Sequence, residues 1–385
     1  MTESRFVLHI DMDAFFVAAE CLRNTALQGR PLIIGGTGDR GVVSSCSYEA
    51  RRFGVRSAMP MALARKLCPH ATVLGGDMEY YSTLSGLVTD VIRDTAPCFE
   101  KASIDEFYVD LTGMDRFFGC AQWSKELREK IARECGLPSS FGLSANKTVS
   151  KVATNSAKPN GMKHVLHGDE GRFLSPLPVA DLPLAGQKTV ARLNEMGVVY
   201  IRTLQAMPLS LMIQGFGLPG KVLWERARGE DNRPVIPYQE QKSVGVEVTL
   251  SRDSTDAAYL QRILTALTER VGFRLRKARK LTGCLVLKIR YSDFSTHTRQ
   301  VKIPYTGNDQ ILLQHVRQLF ALLYDRRLRI RLLGVRCTDL VHGRPQLSLF
   351  DQESKLLHLD SALDQVRRKF GETSVQRAHY HGLKF

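Results

Sequence analysis

Three acidic side chains stand where they could hold divalent metal. Asp11 closes the apolar run RFVLHI, and Asp105 and Glu106 are adjacent in SIDEFYVD. Neighbours on a regular strand point to opposite faces, so bringing Asp105 and Glu106 together demands a turn or distortion at that point. A carboxylate at a strand end, beside a hairpin carrying two more, makes a workable cage for Mg²⁺, a hard cation that takes oxygen ligands and leaves positions for water and phosphate. Two such ions, roughly 3.5–4 Å apart, clamp the attacking and leaving oxygens of a phosphoryl transfer. Taken alone, the same pattern also describes a solvated acidic turn.

Two basic groups suit a polyphosphate. In SYEARR, Tyr48 and Arg51 lie three apart and share a helix face. Arginine grips phosphate with its planar fork, and a tyrosine hydroxyl adds a hydrogen bond. Lys158, in AKPNG, ends a helix that also bears Lys147 and Lys151. The bland reading of each is a solvated basic face. Phe15 and Phe16 follow the first carboxylate; both suit a core, and one could instead wall a pocket.

The elements that must position these groups are short. RFVLHI, PLIIGG and GVVSSCS read as strands. YEARRF and MPMALARKL read as helices, and residues 79–95 carry helical apolar spacing. FEKASIDEFYVDLTG alternates like a strand pair, 121–135 is amphipathic, SSFGLSA is a strand and NKTVSKVATNSAK a basic helix. Strands and helices mix without a strict βαβ rhythm, which favours α+β. From about 166 to 230 the chain is helical and broken by Pro and Gly. Residues 231–242, DNRPVIPYQEQK, have linker composition. A module in the order βαββαβ follows, the pattern of a small split-βαβ domain.

The chain has 385 residues, 43% hydrophobic and 24% charged. That composition excludes a disordered, collagenous or coiled-coil chain and suggests two to four domains. No apolar run approaches the roughly 18–20 residues of a membrane span, and the N-terminus has no secretory h-region. Lys and Arg number 54 against 39 Asp and Glu, a formal charge of +15, which favours a polyanionic partner, most often nucleic acid. The eight cysteines form no CxxC pair, so neither a zinc site nor a redox pair is expected. Cytoplasm is the simplest compartment.

FVLHIDMDAFFVAAE, CSYEARRFGVRSAMP, KASIDEFYVDLTG and SANKTVSKVATNSAKPNG, in this order, resemble the Y-family of translesion DNA polymerases, in its bacterial DNA polymerase IV branch. The resemblance spans residues 5–345. It implies an α+β right hand: palm at 1–10 and 75–165, fingers at 11–74, a helix-hairpin-helix thumb at 166–230, a linker at 231–242, a DNA-binding little finger at 243–341 and a tail at 342–385. It implies that Asp11, Asp105 and Glu106 bind two Mg²⁺ ions, aided by the main-chain carbonyl of Met12, with Glu106 as the usual active-site residue. Tyr48, Arg51 and Lys158 would hold the incoming deoxynucleoside triphosphate, and Phe16 would be the steric gate that excludes a 2′-hydroxyl. The expected activity is low-fidelity, template-directed primer extension by a monomer with no membrane partner, and four domains in this length leave no room for a proofreading exonuclease.

Primer-template DNA needs a basic track. Eight basic and no acidic residues lie between Arg270 and Ser292, and a second run spans Arg326 to Arg336. Arg274, Arg276, Lys277, Arg290, Arg331 and Arg336 are candidate phosphate contacts. In the thumb, Gly186 belongs to a hairpin whose amides would bind phosphate. That hairpin reads Leu184-Ala185-Gly186 where the family commonly has Gly-x-Gly. In the tail, Gln346, Leu347, Leu349 and Phe350 form QLSLF, which resembles a sliding-clamp-binding peptide. A helix after it carries Leu359, Leu363, Val366 and Phe370 on one face and is expected to pack back on the enzyme or bind a partner. Residues 36–41 are a literal GxGxxG, but the strand after them argues against a dinucleotide fingerprint, which needs a helix there. A two-metal nucleotide cyclase and a non-catalytic, clamp-tethered DNA scaffold are the competing functions.

Overall fold

The computed structural model describes residues 5–38, 40–114, 119–237, 239–325, 328–343, 353–372 and 374–378. They fold into two compact units, 1–239 and 240–385, of mixed α and β structure. Among the described residues no helix is long and apolar enough to cross a membrane.

The first unit opens with β1 (Val7–Met12) and α1 (Phe15–Arg23). β2 (Leu32–Gly35), β3 (Val43–Cys46), α2 (Tyr48–Arg52), α3 (Met61–Leu67) and β4 (Thr72–Leu74) follow, and the three strands form a small sheet in the order β3-β2-β4. The GxGxxG stretch runs between β2 and β3, so a strand, not a helix, follows it. Next come α4 (Met78–Thr95), β5 (Phe99–Lys101), β6 (Glu106–Asp110), α5 (Cys120–Cys135), β7 (Ser139–Ser144), α6 (Lys147–Ala157) and β8 (Met162–His164).

The larger sheet has the order β5-β6-β1-β7-β8, with β1 antiparallel to both neighbours. Leu8, Ile10 and Met12 of β1 point into an apolar core with Phe107, Val109, Phe141 and Leu143. Alternation therefore sends His9 and Asp11 to the other face, the one that α6 covers. Gly142 makes that cover possible: a Cβ there would lie 2.1 Å from the Ser150 carbonyl oxygen. Asn146 caps α6 through Val149 N (3.0 Å), and Pro159 prevents its continuation.

Among the described residues, five α-helices complete this unit: α7 (Glu170–Leu174), α8 (Gln187–Glu195), α9 (Ile201–Ala206), α10 (Leu209–Phe216) and α11 (Leu218–Ala227). Leu174, Leu193, Ile201, Leu204, Met212 and Leu223 share their core. The stretch with linker composition is fastened to the unit at its start. Asp231 accepts from Thr148 Oγ1 (2.7 Å) and Arg233 Nη2 (2.7 Å), and Ile236 N donates to Glu100 (2.7 Å). Burial pushes the Asp231 carboxyl up, but those bonds outweigh it and hold it at about 2.

The second unit runs β9 (Ser243–Ser254), α12 (Ala257–Lys277), β10 (Lys280–Tyr291), β11 (Thr296–Thr306), α13 (Asp309–Leu323) and β12 (Ile330–His342). Its antiparallel sheet has the order β11-β10-β12-β9. Leu285, Leu287, Ile289, Leu333 and Val335 face α12 and α13 across a single core, and the other sheet face is open. The tail helix α14 (Glu353–Phe370) reverses the expected amphipathic packing. Its inward stripe is polar: Asp360, Asp364 and Arg367 are buried, whereas Leu359, Val366 and Phe370 are exposed.

Ion pairing explains the reversal. Asp364 accepts from Arg276 at 2.8 and 2.9 Å, Arg276 also reaches Asp309 at 2.7 Å, and Arg367 meets the buried Glu269 at 2.9 Å. Asn308 Nδ2 donates to Asp360 at 2.9 Å. Removing one member of a buried ion network strands its partner. Asp364→Ala should therefore destabilise the full-length protein by about 3 kcal/mol in denaturant unfolding. A loss below about 0.5 kcal/mol, ordinary for a surface change, would show that the docked helix adds nothing.

Candidate active site

Strand register gathers the acids. Asp11 is the cross-strand partner of Glu106, 95 positions further along the sequence. One residue on, Met12 N donates to the carbonyl of Asp105 (3.0 Å). Asp105 itself lies in the turn before β6, so the two adjacent acids escape strict strand alternation. Ser103 builds that turn. Its hydroxyl accepts from the backbone N of Glu106 (3.0 Å) and Asp105 (3.3 Å) and donates to Asp105 Oδ1 (2.5 Å).

Each carboxylate is turned toward a donor. Lys158 Nζ lies 2.7 Å from Asp11 Oδ2, and Lys151 Nζ spans both oxygens of Glu106 at 2.6 and 2.7 Å. α6 thus supplies Lys151 and delivers Lys158 at its end. Asp11 is 6% exposed. Burial pushes its carboxyl up to about 7; Lys158 opposes that, while Glu106 and Asp105 add to it. Beneath the acids His9 is fully buried, with Nδ1 2.8 Å from Thr154 Oγ1. Burial first, then Lys151 and Lys158, hold its pKa well below the ordinary value.

Among the described residues no three acidic, histidine or cysteine side chains are placed together to hold a metal ion. The donor set still fits a hard cation. It offers carboxylate oxygens alone, in a place where burial and mutual repulsion make negative charge costly and two ammonium groups offset it.

The candidate nucleotide groups border this cluster. α2 is capped by Ser47, whose Oγ accepts from Ala50 N (3.2 Å). Arg51 lies 4.6 Å above the Tyr48 ring, and Tyr48 OH donates to Asp13 Oδ1 (3.2 Å). The aromatic pair divides as sequence allowed. Phe15 is buried in the core, while Phe16 is half-buried and stacks on Tyr81 with centroids 4.5 Å apart and planes at 16°. Tyr81 is anchored by its hydroxyl to Glu20 Oε1 (2.7 Å).

The candidate DNA contacts scatter. Arg290 and Arg336 lie on the open sheet face with Lys288, given the pairings Val286↔Arg336 and Lys288↔Gly334. Glu247 crosses this face between Lys288 (2.8 Å) and Arg336 (3.6 Å). Arg331 caps the exposed Phe294 ring at 4.7 Å. Arg274 and Lys277 belong to α12, on the helical layer, with Arg274 3.7 Å from Glu372. Arg276 stands apart from the other candidate phosphate contacts. It is spent inside the α14 ion network, and charge density along the sequence could not reveal the Asp309 and Asp364 that hold it. Gly186 is the exposed residue before α8. In the same hairpin Leu184 adopts φ 77° and is 69% exposed, a left-handed conformation that costs a leucine roughly 1–2 kcal/mol. Arg326 and the clamp-like residues Gln346, Leu347, Leu349 and Phe350 lie outside the described residues.

Asp13, Ser103, Lys151 and Tyr81 have structural roles here that sequence reasoning did not assign. The one available signal was the spacing of Asp11 and Asp13 within DMD.

Two family models match this chain. The impB/mucB/samB family covers residues 10–155, and its C-terminal domain covers 241–349. A DNA polymerase IV of Dehalococcoides mccartyi is 36% identical over 384 residues, covering 99% of this chain and 98% of that protein. One from Streptococcus pyogenes is 37% identical over 354 residues, covering 90% and 96%. Among solved structures, a Y-family DNA polymerase chimera superposes with a TM-score of 0.77 at 22% identity, covering 88% of this chain and all of that one.

Proposed function

We infer the role of the acidic cluster from one premise: the chain belongs to the impB/mucB/samB family of Y-family polymerases and is a translesion DNA polymerase. Its catalysis is divalent-metal dependent, and its substrates are primer-template DNA and deoxynucleoside triphosphates. The specific assignments are our proposal. Asp11, Asp105 and Glu106, with the Met12 carbonyl, hold two Mg²⁺ ions. The observation that carries this is the Asp11–Glu106 register, locked by the bond from Met12 to Asp105. Bound there, the ions would supply acidification of the primer 3′-hydroxyl and charge neutralisation at the pyrophosphate.

The rest falls to the chain's own residues. Nucleotidyl transfer needs in-line positioning and neutralised charge more than covalent help. Arg51 and Lys158 bring positive charge to the triphosphate, where it grows in the transition state. Tyr48 carries Arg51 stacked on its ring, and Phe16 walls the sugar. No side chain near Asp11 is proposed as a general base: His9 is fully buried, and burial makes it a poorer proton acceptor than an ordinary imidazole. In this reading residues 1–10 and 75–165 are palm, 11–74 fingers, 166–230 thumb, 243–341 little finger, and 342–385 a tail carrying the clamp peptide of a cytoplasmic monomer.

Primer extension with and without Mg²⁺ tests the reading. Templated addition that needs the metal supports it. Nucleotide consumption without template would indicate the cyclase, and DNA binding without addition the scaffold. The open sheet face with Lys288, Arg290 and Arg336 supports electrostatic DNA holding. Affinity for primer-template should fall by a factor on the order of 10³ between 50 and 200 mM salt if six or so phosphates are neutralised. A nearly flat salt dependence, measured by anisotropy, would overturn that holding mode.

A further inference from the structure

We propose that Asp13 is a positioning residue for the incoming triphosphate, acting through Tyr48 and through the turn that carries Lys158. The inference rests on the reading that Arg51, stacked on Tyr48, and Lys158 hold that triphosphate.

Asp13 is 2% exposed, and among the described residues no cation pairs with it. Neutral donors surround it instead. Its Oδ1 accepts from Tyr48 OH (3.2 Å) and Ser140 Oγ (3.0 Å). Its Oδ2 accepts from Ser140 Oγ (2.9 Å) and the backbone N of Asn160 (2.7 Å). Its own N donates to Pro138 O (2.9 Å). Ser140 extends the web, since Gly161 N donates to its Oγ at 3.3 Å. One carboxylate therefore joins the start of α2, strand β7 and the turn after α6.

Each bond has a directional consequence. A phenol has one proton, and Tyr48 gives it to Asp13, so this bond fixes the ring and, stacked on it, the Arg51 guanidinium that meets the triphosphate. The Asn160 bond fixes a residue in a left-handed conformation (φ 50°) two positions after Lys158. On that residue's other side Arg128 Nη1 donates to its carbonyl (2.6 Å). Lys158 is thereby held within reach of Asp11. Without this carboxylate, Tyr48 OH, Ser140 Oγ and Asn160 N would each lose an acceptor, and a donor left unpaired costs more than the bond's net worth. Asp13 thus holds the tyrosine side and the ammonium side of the triphosphate site in one fixed relation. It touches no substrate itself.

The test uses the full chain and single-nucleotide incorporation opposite an undamaged template base. Asp13→Asn keeps the shape but replaces one accepting oxygen with a donor. It should raise KM for the nucleotide about tenfold or more, the worth of one charge-assisted bond, with kcat changed less than threefold. Tyr48→Phe should also raise KM, and the double variant should be less than the product of the two. Ser140→Ala should raise KM by a smaller factor, and it keeps the test open should Asp13→Asn fail to fold. An unchanged KM in Arg51→Ala overturns the triphosphate reading itself, and an unchanged KM in Tyr48→Phe overturns the positioning through Tyr48. A raised KM in Tyr48→Phe with none in Asp13→Asn or Ser140→Ala overturns the positioning role. So do effects that multiply in the double variant, or a loss confined to kcat.

Discussion

Glu106→Gln is expected to cut templated nucleotide addition by a factor on the order of 10³ or more, leaving primer-template affinity within about twofold. The substitution keeps size and shape and removes one charge. Ser103 still caps the turn through the Glu106 backbone, so β6 and its pairing with β1 are retained. What is lost is the carboxylate opposite Asp11, in a cluster where charge stabilisation of the transferring phosphoryl group is worth several kcal/mol. In the proposed reading other surfaces hold the DNA, so affinity should not follow. Retained extension at even a tenth of the starting rate would remove Glu106 from the proposed metal set. Lost extension together with lost DNA binding would point to misfolding, which a thermal melt would show.

Phe16→Ala is expected to lower discrimination against ribonucleotides by about 10- to 100-fold, the range a shape-selective apolar wall can supply. The ring is half-buried and stacks on Tyr81, which Glu20 holds by its hydroxyl. Truncation opens space without releasing its neighbour. Deoxynucleotide incorporation should therefore fall less than tenfold. Competing the two nucleotide types on one template reads the ratio directly. An unchanged ratio would make Phe16 a packing residue like Phe15.

The parts of this molecule governed by short-range rules were open to sequence reasoning. Alternation in RFVLHI fixes which face Asp11 takes. The adjacency of Asp105 and Glu106 demanded a turn, and the structure supplies it with Ser103. The βαββαβ order of the second unit followed from apolar periodicity alone. Side chains whose partners arrive from distant segments were not legible. Arg276 looks like one cation among eight until Asp309 and Asp364 close on it. α14 has a visible apolar stripe, yet buried carboxylates opposite arginines decide which face docks. Asp13 resembles an ordinary neighbour of Asp11, and only the approach of Tyr48, Ser140 and Asn160 gives it work. Leu184 shows the reverse case: the departure from glycine was visible, but its left-handed backbone was not.

The Asp11–Glu106 register also dictates when during folding the active centre can come into existence. The intervening chain runs from position 11 to position 106, and closing a loop of roughly a hundred residues costs about 4 kcal/mol of chain entropy before any contact repays it. The β2–β3 pair and the neighbouring helices lie inside that loop and need only short closures, such as Ile33 to Cys46, so they can order first. The acidic centre is then a late product of the topology, assembled when the outer ends of an already structured insertion zip together. Proteins emerging from denaturant should regain helix signal well before they regain the capacity to copy a template.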